Sequence, residues 1–546
     1  MIEAPRSRIY DVCVVGSGAA GGIAAKILTG LGLTVVMLEA GRPLDLASES
    51  LQHVWPYELM RRGYTRDARG IEWAPFGGGF EIDGEPYSCA EGSDFAWFRT
   101  RVVGGRTNQW GRGCYRFADS DFQRYSLDGV GDNWPIELGD LAAYYSAVER
   151  YIGVFGDDAP LPPPPLRCTE RIVKDGCSSL GIPCRSGRAA ILTRPWNGRP
   201  ACHYCGQCNR GCCSRSNYSS SQVAVPDALS TNRLTLITGA MVRELTLLNG
   251  RVESAIYIDK YTRRENRVRA RVFVLAASSC ESARLLLNSK SASFPDGLAN
   301  SSGVIGRYLT DSVGSACMGL FSQLRKIPPH NHDGTGVMHL HIPWWREGQR
   351  NDFARGYIIE FGGGRHMPSV LAFHRTCERN QGYGIALKES CRNYYGTAIC
   401  FSAIGEMIPN EHSYCEIDDS KCDEYGIPIL RFHFKRSNND LLMAQDMQST
   451  MRAVIEAAGG IYLSDDIYSM SIGGECYHEL GTVRMGNDPR RSALNKFCQA
   501  HDVPNLFVTD GACFVSSPEK LPTLTIMALA WRTAEYIAEA AKRGDI

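Results

Sequence analysis

The chain has 546 residues, 44% of them hydrophobic and 22% charged, which suits a large soluble globular protein of more than one domain. Lysine plus arginine balances aspartate plus glutamate at 59 each, so no bulk charge argues for binding nucleic acid or an anionic membrane. No apolar run reaches the roughly 18 residues of a membrane-spanning helix, so direct membrane insertion is not expected.

In chain order, the first predicted element is a short buried strand, "IYDVCVVG" (9–16). The N-terminus runs straight into it, with no room for a secretion signal, so cytoplasmic synthesis is expected; export to the periplasm beside a signal-bearing partner is the alternative. Gly16, Gly18 and Gly21 then form G-x-G-x-x-G, a helix follows to about Leu31, and a second strand, "LTVVMLE", ends at Glu39. This is the mechanical kit of a dinucleotide site. The first glycine allows a tight turn, the second a close approach to pyrophosphate, the third helix–strand packing, and the acid a hydrogen bond to a ribose diol.

A second glycine motif, "RVVGGRTNQWGRGCYR" (101–116), could lay bare backbone against a flat or phosphorylated ligand, and its distance from the first favours FAD over NAD. "PLPPPPLRC" (160–168) reads as a rigid connector. Next comes "ACHYCGQCNRGCC" (201–213), with Cys202, Cys205, Cys208, Cys212 and Cys213. Reduced thiols at spacings of two and three admit zinc, an iron–sulfur cluster or no metal, and make disulfides the weakest option. Residues 233–289 read as strands and a hairpin, turning at "NGRV" (249–252) and ending in a helix. The strand-like run "RGYIIEFGGG" lies farther on, and "LPTLTIMALAWRTAEYIAEAAKR" is a terminal helix packed on the core.

Taken together, "GSGAAGG" with Glu39, "GGRTNQWG", "LAASSCESARLLLNS", "SGVIGRYLTDS", "HELGTVRMG" and "DGACF…PTLTIMALA" resemble the glucose–methanol–choline (GMC) flavoprotein oxidoreductases over nearly the whole chain. The resemblance implies an α/β plus α+β architecture: a Rossmann-like FAD-binding domain (1–116, 201–315 and 466–546) interleaved with a substrate-binding domain built on an antiparallel sheet (316–465). Residues 117–200 would form a covering segment. "CHYCGQCNRGC", "GDNWPIELGDLAAYYSAVERYIGVFG" and "HDVPNLFVTDGACFVSS" look most like the catalytic large subunits of bacterial sugar dehydrogenases of the glucoside 3-dehydrogenase type.

The same resemblance implies oxidation of a sugar or glycoside hydroxyl, with C3 one candidate carbon. It gives His478 the task of taking the hydroxyl proton, and the ordinary pKa of histidine suits proton exchange near neutrality. The second active-site position, His or Asn in the family, is Leu521 here. Leucine can neither donate nor accept, so another polar group compensates, the substrate sits differently, leucine packs against an apolar part of it, or the position is an altered one. By resemblance, FAD contacts fall on Gly16, Gly18, Gly21, Glu39, Gly104, Asn108, Trp110, Gly111, Val242, Asp510 and Gly511, with Thr523 and Leu524 beside the flavin. Gln109 stands where some relatives carry a flavin-linking histidine, so noncovalent FAD is expected. Some sugar-oxidising relatives hold a [3Fe-4S] cluster on C-x5-C-x3-C, a spacing that Cys202, Cys208 and Cys212 reproduce, leaving Cys205 and Cys213 as alternative ligands. A small subunit and an electron-acceptor protein would then be partners. Competing readings are an oxygen-using oxidase of a non-sugar alcohol, a lyase with non-redox FAD, and a non-catalytic subunit.

Overall fold

The computed structural model describes residues 8–52, 54–55, 58, 76, 78–326, 334–348, 352–363, 383–394, 396–464 and 472–545. Segments 364–382 and 465–471, within or beside the expected substrate region, lie outside the described residues, as does the end of "RGYIIEFGGG".

Two sheets organise what is described. The first has seven strands, and its parallel part runs Leu234–Thr238, Val35–Glu39, Ile9–Val15, Glu265–Leu275 and Leu506–Val508. These strands carry near-continuous apolar runs because helices or further chain cover both faces. An antiparallel extension follows, Arg251–Asp259 and then Ala240–Leu248. The expected turn between them is Asn249–Gly250, with φ of 52° and 73°, the backbone of a two-residue type I′ hairpin. Helices Ala19–Gly30 and Thr523–Arg543 pack on one another, and Tyr145 Oη pairs with Thr525 Oγ1 at 2.8 Å to tie in helix Leu138–Ile152.

The second sheet is antiparallel: Ile461–Ser464, Val313–Leu320, Ala398–Gly405, Tyr357–Gly363, Leu340–Ile342 and Arg185–Ser186. Helix Asn438–Ala457, capped by Ser437, packs against it. Side chains alternate between faces along each strand, so register decides which residues leave that helix and look toward the first sheet. Ile358 pairs with Ile404, Glu360 with Ser402, and Ser402 with Ala316. The space between the two sheets holds the candidate site.

Candidate active site

A cavity of about 1480 Å³ is lined by residues that include Glu39, His478 and Leu521. Helix Ala19–Gly30 starts at Gly18, so its unpaired N–H groups face the opening. Gly21 is inside the wall: a Cβ there would lie 1.9 Å from the Gly16 carbonyl oxygen. Gly18 and Gly111 instead line the cavity, and a Cβ on either would meet nothing within 4 Å. Glu39 accepts from Ser17 N at 3.0 Å, Ser17 Oγ at 2.5 Å and Gly41 N at 2.6 Å. Of the roughly four acceptor positions of a carboxylate, about one is left for a ribose hydroxyl.

The second glycine motif forms the adjoining wall. Gly105, Trp110, Gly111 and Gln109 line the cavity; Gly104 and Asn108 do not. Asn108 is fully buried, donating to the carbonyls of Val103 and Gly105 and accepting from Ser221 Oγ. It shapes the loop from within and does not itself line the cavity. Gln109 donates to Thr100 Oγ1 at 2.8 Å, and its buried Oε1 in the cavity wall has no partner among the described residues. Val242, Asp510, Gly511 and Thr523 line the cavity and Leu524 packs behind it. The Asp510 carboxylate accepts from Ser278 N, Ser282 Oγ and Ala512 N, holding the loop whose backbone faces the cavity. Bare backbone, a helix N-terminus and an orphaned acceptor fit FAD.

His478 lines the same cavity. Its backbone N–H and that of Cys476 donate to the two oxygens of buried Asp311, at 3.0 and 3.1 Å. Tyr477 between them is held at a φ of 61°, a costly left-handed conformation for a tyrosine. The Nδ1 atom of His478 pairs with Ser312 Oγ at 2.9 Å. In the tautomer that donates from Nδ1, Nε2 is bare and able to accept a proton. Burial lowers the His478 pKa to about 4, with Glu479 opposing the shift and Arg106 adding to it, so the ring is neutral at pH 7. Asp311 and Ser312 stand in "RYLTDS", a segment in which no sequence signal marks a task in holding the histidine.

Leu521 packs with Tyr115, Ile358 and Ile404. Its methyl group also occupies the space a Cβ on Gly113 would need, at 2.2 Å. The family's polar position is thus part of an apolar wall. An amide buried there without a partner costs roughly 1–3 kcal/mol. Leu521→Asn is therefore expected to slow flavin reduction and weaken substrate binding in single-turnover experiments; a faster variant would show that this wall leaves room for a polar group.

The cysteine loop lies beside the cavity. Burial and the neighbouring Cys208, Cys205 and Cys212 push the Cys202 thiol up to about 12, so these groups sit close to one another. They are not a formed ligand set. Cys202 Sγ accepts from Tyr204 N, Cys205 Sγ from Gln52 Nε2, and Cys212 Sγ pairs with Ser214 Oγ. Among the described residues no three His, Cys, Asp or Glu side chains are arranged to hold a metal ion. Cys213 meets Gln52 through its backbone N–H. Arg112 is completely buried between the cavity and this loop, bonding only the carbonyls of Asn108 and Trp110, with Nε unpartnered and no carboxylate in ion-pair range among the described residues. The ionisable groups that face it are Cys208 and Cys212.

A dinucleotide cradle opening onto a buried, neutral histidine beneath an antiparallel sheet defines a flavoprotein of alcohol-oxidising type. The chain belongs to the GMC oxidoreductase family: residues 13–313 match the family's N-terminal model and 409–530 its C-terminal one, both described as GMC oxidoreductase. Enzymes of this family bind FAD and oxidise CH–OH groups. Relatives include 2-methyl-1,2-propanediol dehydrogenase of Mycolicibacterium austroafricanum, 29% identical over 97% of this chain and 95% of its own. Paromamine 6'-oxidase of Streptomyces fradiae is 29% identical (97% and 92%), and the fructose dehydrogenase large subunit of Gluconobacter japonicus is 26% identical (98% and 98%). Among solved structures, pyridoxine 4-oxidase from Mesorbium loti aligns with a TM-score of 0.62 at 18% identity, covering 96% of this chain and 99% of that one, a likeness of fold.

Proposed function

We propose that the protein is an FAD-dependent dehydrogenase of a sugar or glycoside hydroxyl, with His478 as general base. The observation that carries this reading is the neutral imidazole, pinned through Asp311 and Ser312, in the same cavity as the dinucleotide cradle. Residues 1–116, 201–315 and 466–546 would serve the cofactor and 316–465 the substrate. Gly18, Glu39, Gly105, Gln109 and Gly111 would hold FAD, which supplies a two-electron acceptor for the hydride leaving the carbinol carbon. Nε2 of His478 takes the hydroxyl proton, and the Nδ1–Ser312 contact fixes the ring during that transfer. Arg106, bound to Glu479 and to the Tyr477 carbonyl, holds the segment that carries the histidine. The fructose and paromamine named for two relatives support a carbohydrate substrate; C3 is one carbon among several.

The finer proposal is that Cys202, Cys208 and Cys212 take up an iron–sulfur cluster and so pass electrons to a small subunit or an acceptor protein. Spacing supports it, and so does Arg112: a thiolate-bound cluster is anionic and would neutralise a buried guanidinium that has no carboxylate. Anaerobic purification followed by acid precipitation tests both cofactors. Released yellow FAD is expected, since Gln109 provides no covalent attachment, together with iron and acid-labile sulfide. Flavin retained in the pellet, or zinc without iron, would refute the respective claim.

A further inference from the structure

One ionisable group on the substrate side of the cavity has no task in the hydroxyl oxidation itself. Glu360 lies in strand Tyr357–Gly363, between Ile358, which touches Leu521, and Gly362. Strand periodicity puts Glu360 on the same face as Ile358, roughly 7 Å farther along. Register places Ser402 beside it on one flank and His341 on the other, and the His341 ring packs at a tilt against Tyr115, a second member of the Leu521 cluster, with centroids 4.7 Å apart. Glu360 therefore lines the cavity one pleat away from Ile358 and the Leu521 wall, and His478 lines the same cavity. It has no hydrogen bond and no cation within ion-pair range among the described residues, although Arg101, Arg106 and Arg167 elsewhere all have carboxylate partners.

We propose that Glu360 is a substrate-recognition residue and that the substrate carries a cationic amine which pairs with it while the reacting hydroxyl lies at His478. The proposal rests on the oxidoreductase reading and narrows its substrate class to amino sugars or their glycosides. An unpaired carboxylate in a cavity is costly, and an arriving ammonium group is the chemistry that removes the cost with a charge-assisted bond. Burial raises the Glu360 pKa to about 7, so near neutrality the group is poised to ionise fully when a cation arrives. The groups facing it do not supply that cation. Burial keeps His341 neutral, lowering its pKa to about 4, and raises the pKa of the Tyr115 phenol well above its usual value. Ser402 contributes only a hydroxyl. The apolar patch around Leu521 would then cover a carbon face of the sugar between the two anchored ends.

The test uses FAD-loaded enzyme and matched probes: D-glucosamine, paromamine and 2-aminoethyl glucoside, each beside its N-acetylated form. Binding is read from the perturbation of the flavin spectrum and turnover from anaerobic flavin reduction. At least one amine is expected to bind ten- to hundredfold more tightly than its acetylated counterpart, the usual size of a hydrogen bond to a charged group. Glu360→Gln should erase that preference with FAD content unchanged, and Glu360→Asp, which keeps the charge, should retain part of it. A panel in which no amine is preferred, or in which nothing binds, overturns the proposal, as does a Glu360→Gln enzyme that still discriminates. Selective amine binding without flavin reduction by any alcohol would instead count against the oxidoreductase reading, leaving the Glu360 contact intact.

Discussion

Replacing His478 with alanine is expected to slow flavin reduction by about 10²–10⁴-fold, the usual contribution of a positioned base, while FAD stays bound. The two halves of that expectation have separate structural origins. The cradle for the cofactor is built from Gly16–Gly21, Glu39 and the loop around Gly105, none of which depends on the imidazole. The proton acceptor depends on it entirely. A pH profile sharpens the test. Burial lowers the His478 pKa to about 4, so the active neutral form prevails above that value and is lost as pH falls through it. The flavin-reduction rate at saturating substrate should be level from neutrality to about pH 5 and decline below, whereas an unperturbed histidine would begin to lose rate near pH 6.5. Measurement at saturation matters because Glu360, titrating near 7, is expected to act on binding. Near-normal single-turnover rates in His478→Ala, or a break at about 6.5, would exclude the assigned role.

The second large effect is expected from Gly21→Ala. The added Cβ would sit 1.9 Å from the Gly16 carbonyl oxygen and 3.3 Å from Ala276 Cβ. The nearer of these belongs to a helix–strand turn that cannot withdraw without opening the cradle, so the variant should lose roughly 1–3 kcal/mol of stability or more, and its flavin. Gly18→Ala provides the contrast. Gly18 has a φ of −68° and open space where a Cβ would stand, so that variant should fold and lose affinity for FAD alone. Thermal unfolding with and without added FAD, together with the flavin-to-protein ratio, separates the two cases. A Gly21→Ala enzyme that is yellow and as stable as the parent would show that the first turn of the helix can shift.

The parts of this architecture that were legible in sequence are those whose physics is local. Three glycines at fixed spacing before an Ala-rich helix, Asn249–Gly250 between alternating strands, and the apolar spacing of Thr523–Arg543 each fix their own backbone. The family motifs supplied His478 and the second glycine loop. Residues that depend on what lies opposite were not legible. The resemblance implies a cofactor contact at Asn108, and nothing in its motif shows that its side chain is engaged by Val103, Gly105 and Ser221. Asp311 is distant in sequence from the two N–H groups it holds. Glu360, in "YIIEFGG", carries no sequence signal of a site, and it is register that turns it toward the cavity. The cysteines show the opposite case: their spacing is suggestive, yet Cys202 and Cys212 bond to near neighbours in the loop, Cys205 accepts from distant Gln52, and no three such groups among the described residues are arranged for a metal ion. Arg112 is embedded in the glycine motif, and nothing in that motif signals that its buried charge faces them.

The most direct test of the central claim is the anaerobic spectrum of the FAD-loaded enzyme, recorded before and after adding sugars, amino sugars and glycosides, with the products assayed for a new carbonyl group. Stoichiometric bleaching of the flavin, matched by carbonyl formation and abolished or greatly slowed in His478→Ala, is the predicted result. Flavin that stays oxidised with every alcohol, while a substrate such as a cyanohydrin is cleaved, would contradict it and assign the histidine to a lyase.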